Sequence, residues 1–555
     1  MILLYIWNKE KFKLKGDSVF IMKIKKISIL AVIILTALCV GQSFAELKPV
    51  AIESGLVRGV EEDGLAVYRG IPFAAPPIGD LRWKAPQKTT AWDGILEAKN
   101  FQASCPQAVI PNILSMNSNV GRQSEDCLYL NIWTPAKPDA VIDGKLPVMV
   151  WIHGGGLAQG ASFQANFTGE NIAKKGVVFV SIGYRLNIFG FLAHPELSAE
   201  NEHGVSGNYG LLDQIAALQW IHDNISAFGG NPDNVTIFGE SAGGISVSML
   251  CASPLAKGLF NRAISQSGGS FGPIEKTRFW GIQDLKSAEV FGKEYLESKG
   301  YSSINDLRKL SAEELEPLGR PSSPLGLFWP VCDNYLIAGD PYRLYQDGKY
   351  NSVDILIGIN SNEGGIFFSE PYSKEEFVRY MDIFGDMKSE ALKVYPANDD
   401  DEALESYRAV FQDTVLGWPT YTWARLQSST QSSTGKSRVY LYYFTQNEPE
   451  HDFGPILEGA AHSDEINYVF GHMGWENNFH YTDEDKKFSE QVMSYWVNFA
   501  RTGNPNGEGL PEWPEYENDK DSVMYLNASG SKAGAIPHNA RMDFLTKFFE
   551  AIRKK

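Results

Sequence analysis

The sequence VTIFGESAGG, residues 235–244, passes from β-branched and apolar residues through a glycine-rich turn into the apolar segment 245–250. This order predicts a strand, a sharp turn and a helix. Gly239 and Gly243 lie two residues before and two residues after Ser241, where small side chains let strand and helix approach closely. The turn would hold the Ser241 hydroxyl at a helix N-terminus, whose N–H groups favour negative charge. The stretch therefore predicts a nucleophilic serine, and the alternative is an ordinary glycine-rich turn.

The same five-residue pattern occurs a second time in GGSFG, residues 268–272. Pro273 follows it at once, and no run of small residues opens a helix there. Because the pattern alone is a weak signal without a strand and a helix around it, Ser270 is not expected to be the nucleophile.

From about residue 146 onward, short apolar runs alternate with longer amphipathic segments. This alternation is typical of a parallel sheet crossed by helices, so the predicted class is α/β. No internal repeat or long linker divides the chain, and residues 46–555 are expected to form one domain with insertions. The expected strands are 146–152, 177–181, 235–238, 354–359 and 439–444, and the expected helices are 210–225, 242–253, 287–298 and 484–501.

The sequence HGGG, residues 153–156, directly follows the expected strand 146–152. Three glycines leave the backbone bare, so the N–H groups of Gly155 and Gly156 can bind an oxyanion together with that of Ala242. Such donors contribute about 3 kcal/mol each to the stability of a tetrahedral intermediate. A glycine-rich turn without a ligand is the alternative, and the serine turn downstream disfavours it.

Residues 1–45 are interpreted as a leader with a signal peptide over 22–45. Lysines are followed by the apolar run 27–40 and then by Ser43-Phe44-Ala45, which has small residues at the positions that a signal peptidase recognises. The apolar run is shorter than the roughly 20 residues that span a bilayer, although an uncleaved N-terminal anchor is the alternative. Residues 1–21 are assigned no function. The mature protein is expected to be secreted or periplasmic, with no stable membrane insertion.

The charge of the chain excludes several kinds of partner. The formal net charge is −17, and the leader holds seven lysines but only two acidic residues, so its removal makes the charge more negative. A surface of that sign repels phosphate backbones and anionic lipid. We therefore expect no nucleic-acid partner, and the oligomeric state is left open.

Four cysteines remain after the leader: Cys105, Cys127, Cys251 and Cys332. An exported chain meets an oxidising compartment, and the count alone permits three pairings. Cys105 and Cys127 close a short polar loop, whereas the other two lie in apolar segments. We expect one disulfide, between Cys105 and Cys127, with Cys251 and Cys332 as buried thiols.

The chain resembles the type-B carboxylesterases, the family that includes the cholinesterases, over nearly all of its mature length. The segments that carry the resemblance are GIPFA (70–74), SEDCLYLN (124–131), GESAGG (239–244), QSG (266–268) and NFA with TGNP (498–505). The resemblance implies an α/β-hydrolase fold, with a mostly parallel central sheet flanked by helices and with large insertions. It also implies a serine hydrolase that cleaves carboxylic esters through an acyl-enzyme intermediate. Leu157 and Gly183 depart from the Phe and Asn of many relatives, and Leu157 is expected to reshape the pocket.

The resemblance assigns the other two members of a catalytic triad. Glu363, just past an expected strand, corresponds to the acid of the family, and His462 in GAAHSDEI (459–466) corresponds to its base. Asp464 and Glu465 are rival acids close to the histidine. A neutral His462 must accept the proton of the serine, so activity is expected to rise with pH around 6 to 7.

The implied mechanism needs no metal and no organic cofactor, and the sequence contains no recognised metal-binding or nucleotide-binding motif. A small-molecule ester is the expected partner. An amidase or carbamate hydrolase with the same triad is the alternative enzyme, and a non-catalytic binding member of the family is the alternative from another class. The intact triad and glycines disfavour the binding protein. The loop from Cys105 to Cys127 contains no aromatic residue to seat a quaternary ammonium group, which favours neutral esters.

Overall fold

The computed structural model describes residues 45–108, 120–138, 145–276, 281–320, 326–368, 372–434, 437–452, 458–474, 478–520 and 522–554. Residues 1–44, which contain all but the last residue of the expected signal peptide over 22–45, and residues 109–119 of the loop between Cys105 and Cys127 lie outside the described residues. From Ala45 onward the chain forms one compact unit.

Twelve strands form the central sheet, in the spatial order β1-β4-β5-β7-β9-β8-β10-β11-β15-β16-β19-β20, and three small sheets contain the others. The strands of the central sheet are β1 (Ala45–Glu46), β4 (Val60–Glu62), β5 (Leu65–Pro72), β7 (Tyr129–Thr134), β8 (Leu146–Ile152), β9 (Val178–Ile182), β10 (Gly230–Glu240), β11 (Arg262–Gln266), β15 (Asp354–Asn360), β16 (Val439–Phe444), β19 (Ser522–Leu526) and β20 (Lys532–Ala535). The small sheets contain β2 (Val50–Ile52), β3 (Gly55–Arg58), β6 (Ile95–Glu97), β12 (Ile274–Glu275), β13 (Ile282–Asp284), β14 (Val331–Cys332), β17 (Glu450–His451) and β18 (Phe479–His480).

The seven adjacent strands from β9 to β19 run parallel. Their carboxyl ends therefore meet at one edge of the sheet, which is where ligands bind in open α/β sheets. Gly239 pairs with Ile152 on one side, and Glu240 pairs with Gln266 on the other. The next strand ends close by, because Gln266 pairs with Gly358. The serine turn, the glycine loop and the segment before Glu363 thus share one edge.

Helices cover both faces of the sheet, and side chains alternate between two apolar layers. Val150 and Ile152 pack into one layer, while Met149 and Trp151 pack into the other. Burial on both faces explains why the parallel strands are apolar at nearly every position. The α-helices are α1 (Glu170–Lys174), α2 (Asn187–Phe191), α3 (Pro195–Glu200), α4 (Tyr209–Asn224), α5 (Ala242–Ala252), α6 (Leu285–Ser298), α7 (Ile304–Arg308), α8 (Ala312–Leu315), α9 (Pro341–Gln346), α10 (Lys374–Tyr380), α11 (Lys388–Val394), α12 (Asp400–Phe411), α13 (Trp418–Thr434), α14 (Asp464–Phe470), α15 (Asp483–Thr502) and α16 (Asn539–Arg553).

The predicted α/β class is confirmed, and every strand and helix proposed from the sequence is present within a few residues of its expected bounds. The largest difference is β10, which begins at Gly230 rather than at residue 235. Among the described residues, no helix is long and apolar enough to cross a bilayer.

Candidate active site

The serine turn joins β10 to α5. Ser241 has φ 56° and ψ −123° and immediately precedes the first helical residue, Ala242. Positive φ is strained for a residue with a side chain, and such strain collects at functional sites. A Cβ atom on Gly243 would lie 2.1 Å from the carbonyl oxygen of Ile152, and one on Gly239 would lie 2.6 Å from the carbonyl carbon of Gly243. The two glycines are therefore required for the close approach of strand and helix, as the sequence predicts.

The glycine loop after β8 packs directly against this turn. A Cβ atom on Gly154 would lie 2.7 Å from the carbonyl oxygen of Glu240 and 3.2 Å from Cβ of Ser241. Gly155 and Gly156 have φ values of 98° and 63°, which favour glycine. The backbone of this loop and the N-terminus of α5 therefore both lie next to Ser241, as the N–H donors of an oxyanion hole must.

His153 begins the glycine loop, and its side chain has a structural role. Its ring stacks on Tyr184 at a centroid distance of 4.5 Å, and the Tyr184 hydroxyl donates to the His153 carbonyl oxygen over 2.8 Å. Burial lowers the pKa of His153 to about 4. The imidazole therefore stays neutral and supports the loop.

Glu363 and His462 are brought together from distant parts of the chain. Oε2 of Glu363 lies 2.6 Å from Nδ1 of His462. The other carboxylate oxygen, Oε1, accepts hydrogen bonds from the Asn360 N–H over 2.7 Å and from the Ser267 hydroxyl over 2.5 Å. Glu363 is fully buried. Its carboxylate is thus held in one orientation, which fixes the tautomer of the imidazole.

The two rival acids have other partners. Asp464 accepts from the Ala461 N–H over 2.6 Å, close to the start of α14. Glu465 accepts from the side-chain amides of Gln266 and Asn360, over 3.0 and 2.6 Å. Of the three acids, Glu363 is the one whose carboxylate contacts Nδ1 of His462.

Sequence reasoning missed Glu240, the residue directly before Ser241. Its Oε1 atom lies 3.2 Å from Nε2 of His462 and accepts a hydrogen bond from the Ser463 hydroxyl over 2.6 Å. Burial raises the pKa of Glu240, against the lowering effect of His462. A carboxylate at the end of a buried strand was the signal in the sequence, because charged groups are seldom buried without a partner.

The protonation of His462 differs from the sequence-based expectation. Burial alone would lower the pKa of His462, but the carboxylates of Glu240 and Glu363 outweigh that effect and raise it. The sequence-based expectation of a transition at pH 6 to 7 used the ordinary pKa of an imidazole. The two carboxylates shift the expected transition to higher pH.

Aromatic side chains line the site beside the histidine. The Phe367 ring lies 5.2 Å from the His462 ring, and the Phe411 ring lies 5.1 Å from that of Phe367. This wall is apolar, and it combines Phe367, which follows Glu363 closely in the chain, with Phe411 from the end of α12.

The disulfide expected from the sequence is present between Cys105 and Cys127, and Cys251 and Cys332 are buried thiols. Gln107, inside the disulfide loop, accepts from the Gly160 N–H over 2.7 Å and donates to its carbonyl oxygen over 2.8 Å. The disulfide loop is thereby attached to the segment that follows the glycine loop.

Ser270 does not have the geometry of Ser241. It lies in a loop between β11 and β12, and its N–H donates to the Ser248 hydroxyl over 3.2 Å. No helix begins directly after it in the part of the chain that the structure describes, so Ser270 does not lie at a helix N-terminus, whose N–H groups would favour an oxyanion.

The chain is similar to several known esterases. A solved structure of a PNB esterase superposes with a TM-score of 0.77 at 32% identity, covering 90% of this chain and 99% of that chain. Fumonisin B1 esterase of Sphingopyxis macrogoltabida is 34% identical over 499 residues, which are 87% of either chain. Para-nitrobenzyl esterase of Bacillus subtilis (strain 168) is 35% identical over 489 residues, which are 86% of this chain and 94% of that protein.

The fold and the site define an α/β-hydrolase that uses a serine. The model of the carboxylesterase family matches residues 46–545, and the chain belongs to that family. It is a serine hydrolase that cleaves carboxylic esters, and the amidase and binding-protein alternatives are not favoured.

Proposed function

We propose that Ser241, His462 and Glu363 form the catalytic triad of this esterase. The observation that carries the proposal is the 2.6 Å contact between Oε2 of Glu363 and Nδ1 of His462. Nδ1 of the imidazole contacts Glu363, and the other ring nitrogen, Nε2, faces the end of β10. There it lies 3.2 Å from Oε1 of Glu240, the residue directly before Ser241.

The proposed mechanism gives each of these residues one step. Nε2 of His462 takes the Ser241 proton as Oγ attacks the ester carbonyl carbon, and Glu363 stabilises the imidazolium. The N–H groups of Gly155, Gly156 and Ala242 bind the oxyanion. Collapse of the tetrahedral intermediate breaks the ester bond, and His462 gives the proton to the leaving alcohol. A water molecule then hydrolyses the acyl-enzyme with the same histidine as base.

A pair of serine variants tests the triad. Ser241→Ala should lower kcat for p-nitrophenyl butyrate by roughly six orders of magnitude, as measured for a nucleophile of this type. Ser270→Ala, in the second copy of the pattern, is the matched control and should leave kcat unchanged. Circular dichroism should show the same fold in both variants.

We further propose that the substrates are neutral esters with small or medium acyl groups. The support is an aromatic wall of Phe367 and Phe411 beside the base and a loop between Cys105 and Cys127 that contains no aromatic residue. An apolar wall favours neutral groups, whereas a quaternary ammonium ion needs an accessible aromatic face.

A specificity ratio tests this substrate class better than detection of cleavage, because the acidic surface attracts cations at long range. The kcat/KM for acetylcholine should not exceed that for its neutral isostere, 3,3-dimethylbutyl acetate. A preference for the cationic ester of tenfold or more, about 1.4 kcal/mol, would show that Phe367 or another aromatic residue seats the cation. The values for p-nitrophenyl acetate and butyrate then define the acyl preference.

The protein is also proposed to be exported by its signal peptide over 22–45. The support is the order of lysines, apolar run and small residues at the expected cleavage site. Expression of the full chain in a secreting host, followed by N-terminal sequencing of the exported protein, should find Glu46 as the first residue. A membrane-bound product that keeps its N-terminus would instead show an uncleaved anchor.

A further inference from the structure

A π-helical segment interrupts the long helix that packs beside the site. It covers Gln412–Gly417 and joins α12 to α13. Such segments are rare and occur frequently at functional sites, because the extra residue re-aims the side chains of the helix. Here the segment directs two consecutive polar side chains into the protein interior, since Gln412 and Asp413 are 5% and 1% exposed.

Gln412 contacts the catalytic acid. Its Oε1 atom accepts the backbone N–H of Glu363 over 3.0 Å. A buried N–H group needs a partner, and here that partner is a side chain from a distant helix. The position of the Glu363 backbone therefore depends on where Gln412 is held.

Asp413 follows Gln412 in the chain and is itself held in the interior. Its carboxyl group accepts from the Tyr395 hydroxyl over 3.0 Å and lies close enough to the Gln412 side chain to interact with it. Oδ2 of Asp413 also lies 2.9 Å from Nε of Arg541, on the C-terminal helix α16. Burial raises the pKa of Asp413 to about 6, so the group is a carboxylate at neutral pH and pairs with the guanidinium.

We propose that Gln412 is a positioning residue for the catalytic acid Glu363, and that Asp413 and Arg541 anchor it to the C-terminal helix. This inference rests on the proposed role of Glu363. The carboxylate of Glu363 is held by Ser267 and by the Asn360 N–H, whereas its main chain is held by Gln412. Loss of Gln412 displaces the carboxylate relative to the imidazole, and a displacement of about 1 Å can slow a reaction a hundredfold.

Gln412 and Gln427 are two buried glutamines in the consecutive helical segments from α12 to α13, and their variants can be compared directly. Gln412→Met removes the acceptor at constant length. Gln427→Met, the control, removes a fully buried amide whose partners are Trp423, the carbonyl oxygen of Val353 and the Ser437 hydroxyl. Both changes should lower thermal stability. Only Gln412→Met should lower kcat, by about tenfold or more, with KM within twofold of the wild type.

Asp413→Asn supplies a second measurement if Gln412→Met does not fold. It removes the charge that pairs with Arg541 and should lower kcat with KM unchanged, by less than Gln412→Met. If both residues act through Glu363, the double variant should be no slower than Gln412→Met alone, because neighbouring residues in one network are not additive.

Ser241→Ala is carried through the same assays, so that failure of this inference is distinguishable from failure of the triad. An inactive Ser241→Ala beside a Gln412→Met or an Asp413→Asn variant with wild-type kcat would overturn the positioning role alone. An equal loss of kcat in Gln427→Met, or losses that multiply in the double variant, would also overturn it. An active Ser241→Ala would overturn the proposed triad itself.

Discussion

Nε2 of His462 lies 3.2 Å from Oε1 of Glu240, the residue directly before Ser241. The other ring nitrogen, Nδ1, lies 2.6 Å from Glu363. Each nitrogen of the imidazole therefore faces a buried carboxylate. This arrangement stabilises the imidazolium that forms during acylation, and it also raises the pH at which the free base becomes available.

The dependence of kcat/KM on pH should show the effect of the carboxylates of Glu240 and Glu363 on His462. Burial alone would lower the pKa of His462, but Glu240 and Glu363 raise it, so kcat/KM of the wild type should rise through a transition above the ordinary value of about 6.5. Glu240→Gln removes one negative charge, which favours the neutral imidazole. The midpoint of kcat/KM should therefore move to lower pH, by about one unit. An unchanged midpoint would show that Glu240 does not raise the pKa of His462.

Glu363→Gln should lower kcat by roughly four orders of magnitude, because an amide can hold the imidazole in the wrong tautomer and cannot stabilise its charge. Asp464→Asn is the control among the neighbouring acids, since an asparagine oxygen can still accept the Ala461 N–H. Its kcat should stay within a few-fold of the wild type. Equal losses in the two variants would contradict the assignment of the acid.

Removal of the disulfide with Cys105→Ser/Cys127→Ser should destabilise the fold by about 3 kcal/mol, since the bridge closes a loop with a sequence separation of 22. For a domain of this size that corresponds to about 3 °C in Tm. Differential scanning calorimetry of both proteins, with and without reductant, measures the change. Reductant should lower the Tm of the wild type and leave that of the double variant unaffected.

The strands of the sheet that could be predicted from the sequence are ones buried on both faces. β8, β10, β15 and β16 are short apolar runs bounded by turns, and the packing of a parallel sheet imposes that composition. The N-terminal strands were not predicted from the sequence. β2 and β3 are short and partly exposed, and Arg69, Gly70 and Pro72 interrupt the apolar run of β5. Their pairing depends on tertiary contacts that no local pattern reports.

The site was predictable where its function depends on local geometry. Ser241 and its flanking glycines form one turn, so the constraint is visible in a few consecutive residues. Glu363 is one acid among many in the sequence, and family resemblance identified it. Glu240 and Gln412 were missed because their partners, His462 and Glu363, are brought to them only by folding.

The identity of the acylated residue shows directly whether Ser241 is the nucleophile. The purified protein is treated with a fluorophosphonate probe, and the adduct is located by peptide mass spectrometry. A single adduct on Ser241, absent from the Ser241→Ala variant and retained in Ser270→Ala, is the predicted result. Labelling at Ser270, or no labelling of a protein that still hydrolyses p-nitrophenyl butyrate, would contradict the assignment of Ser241 as the nucleophile.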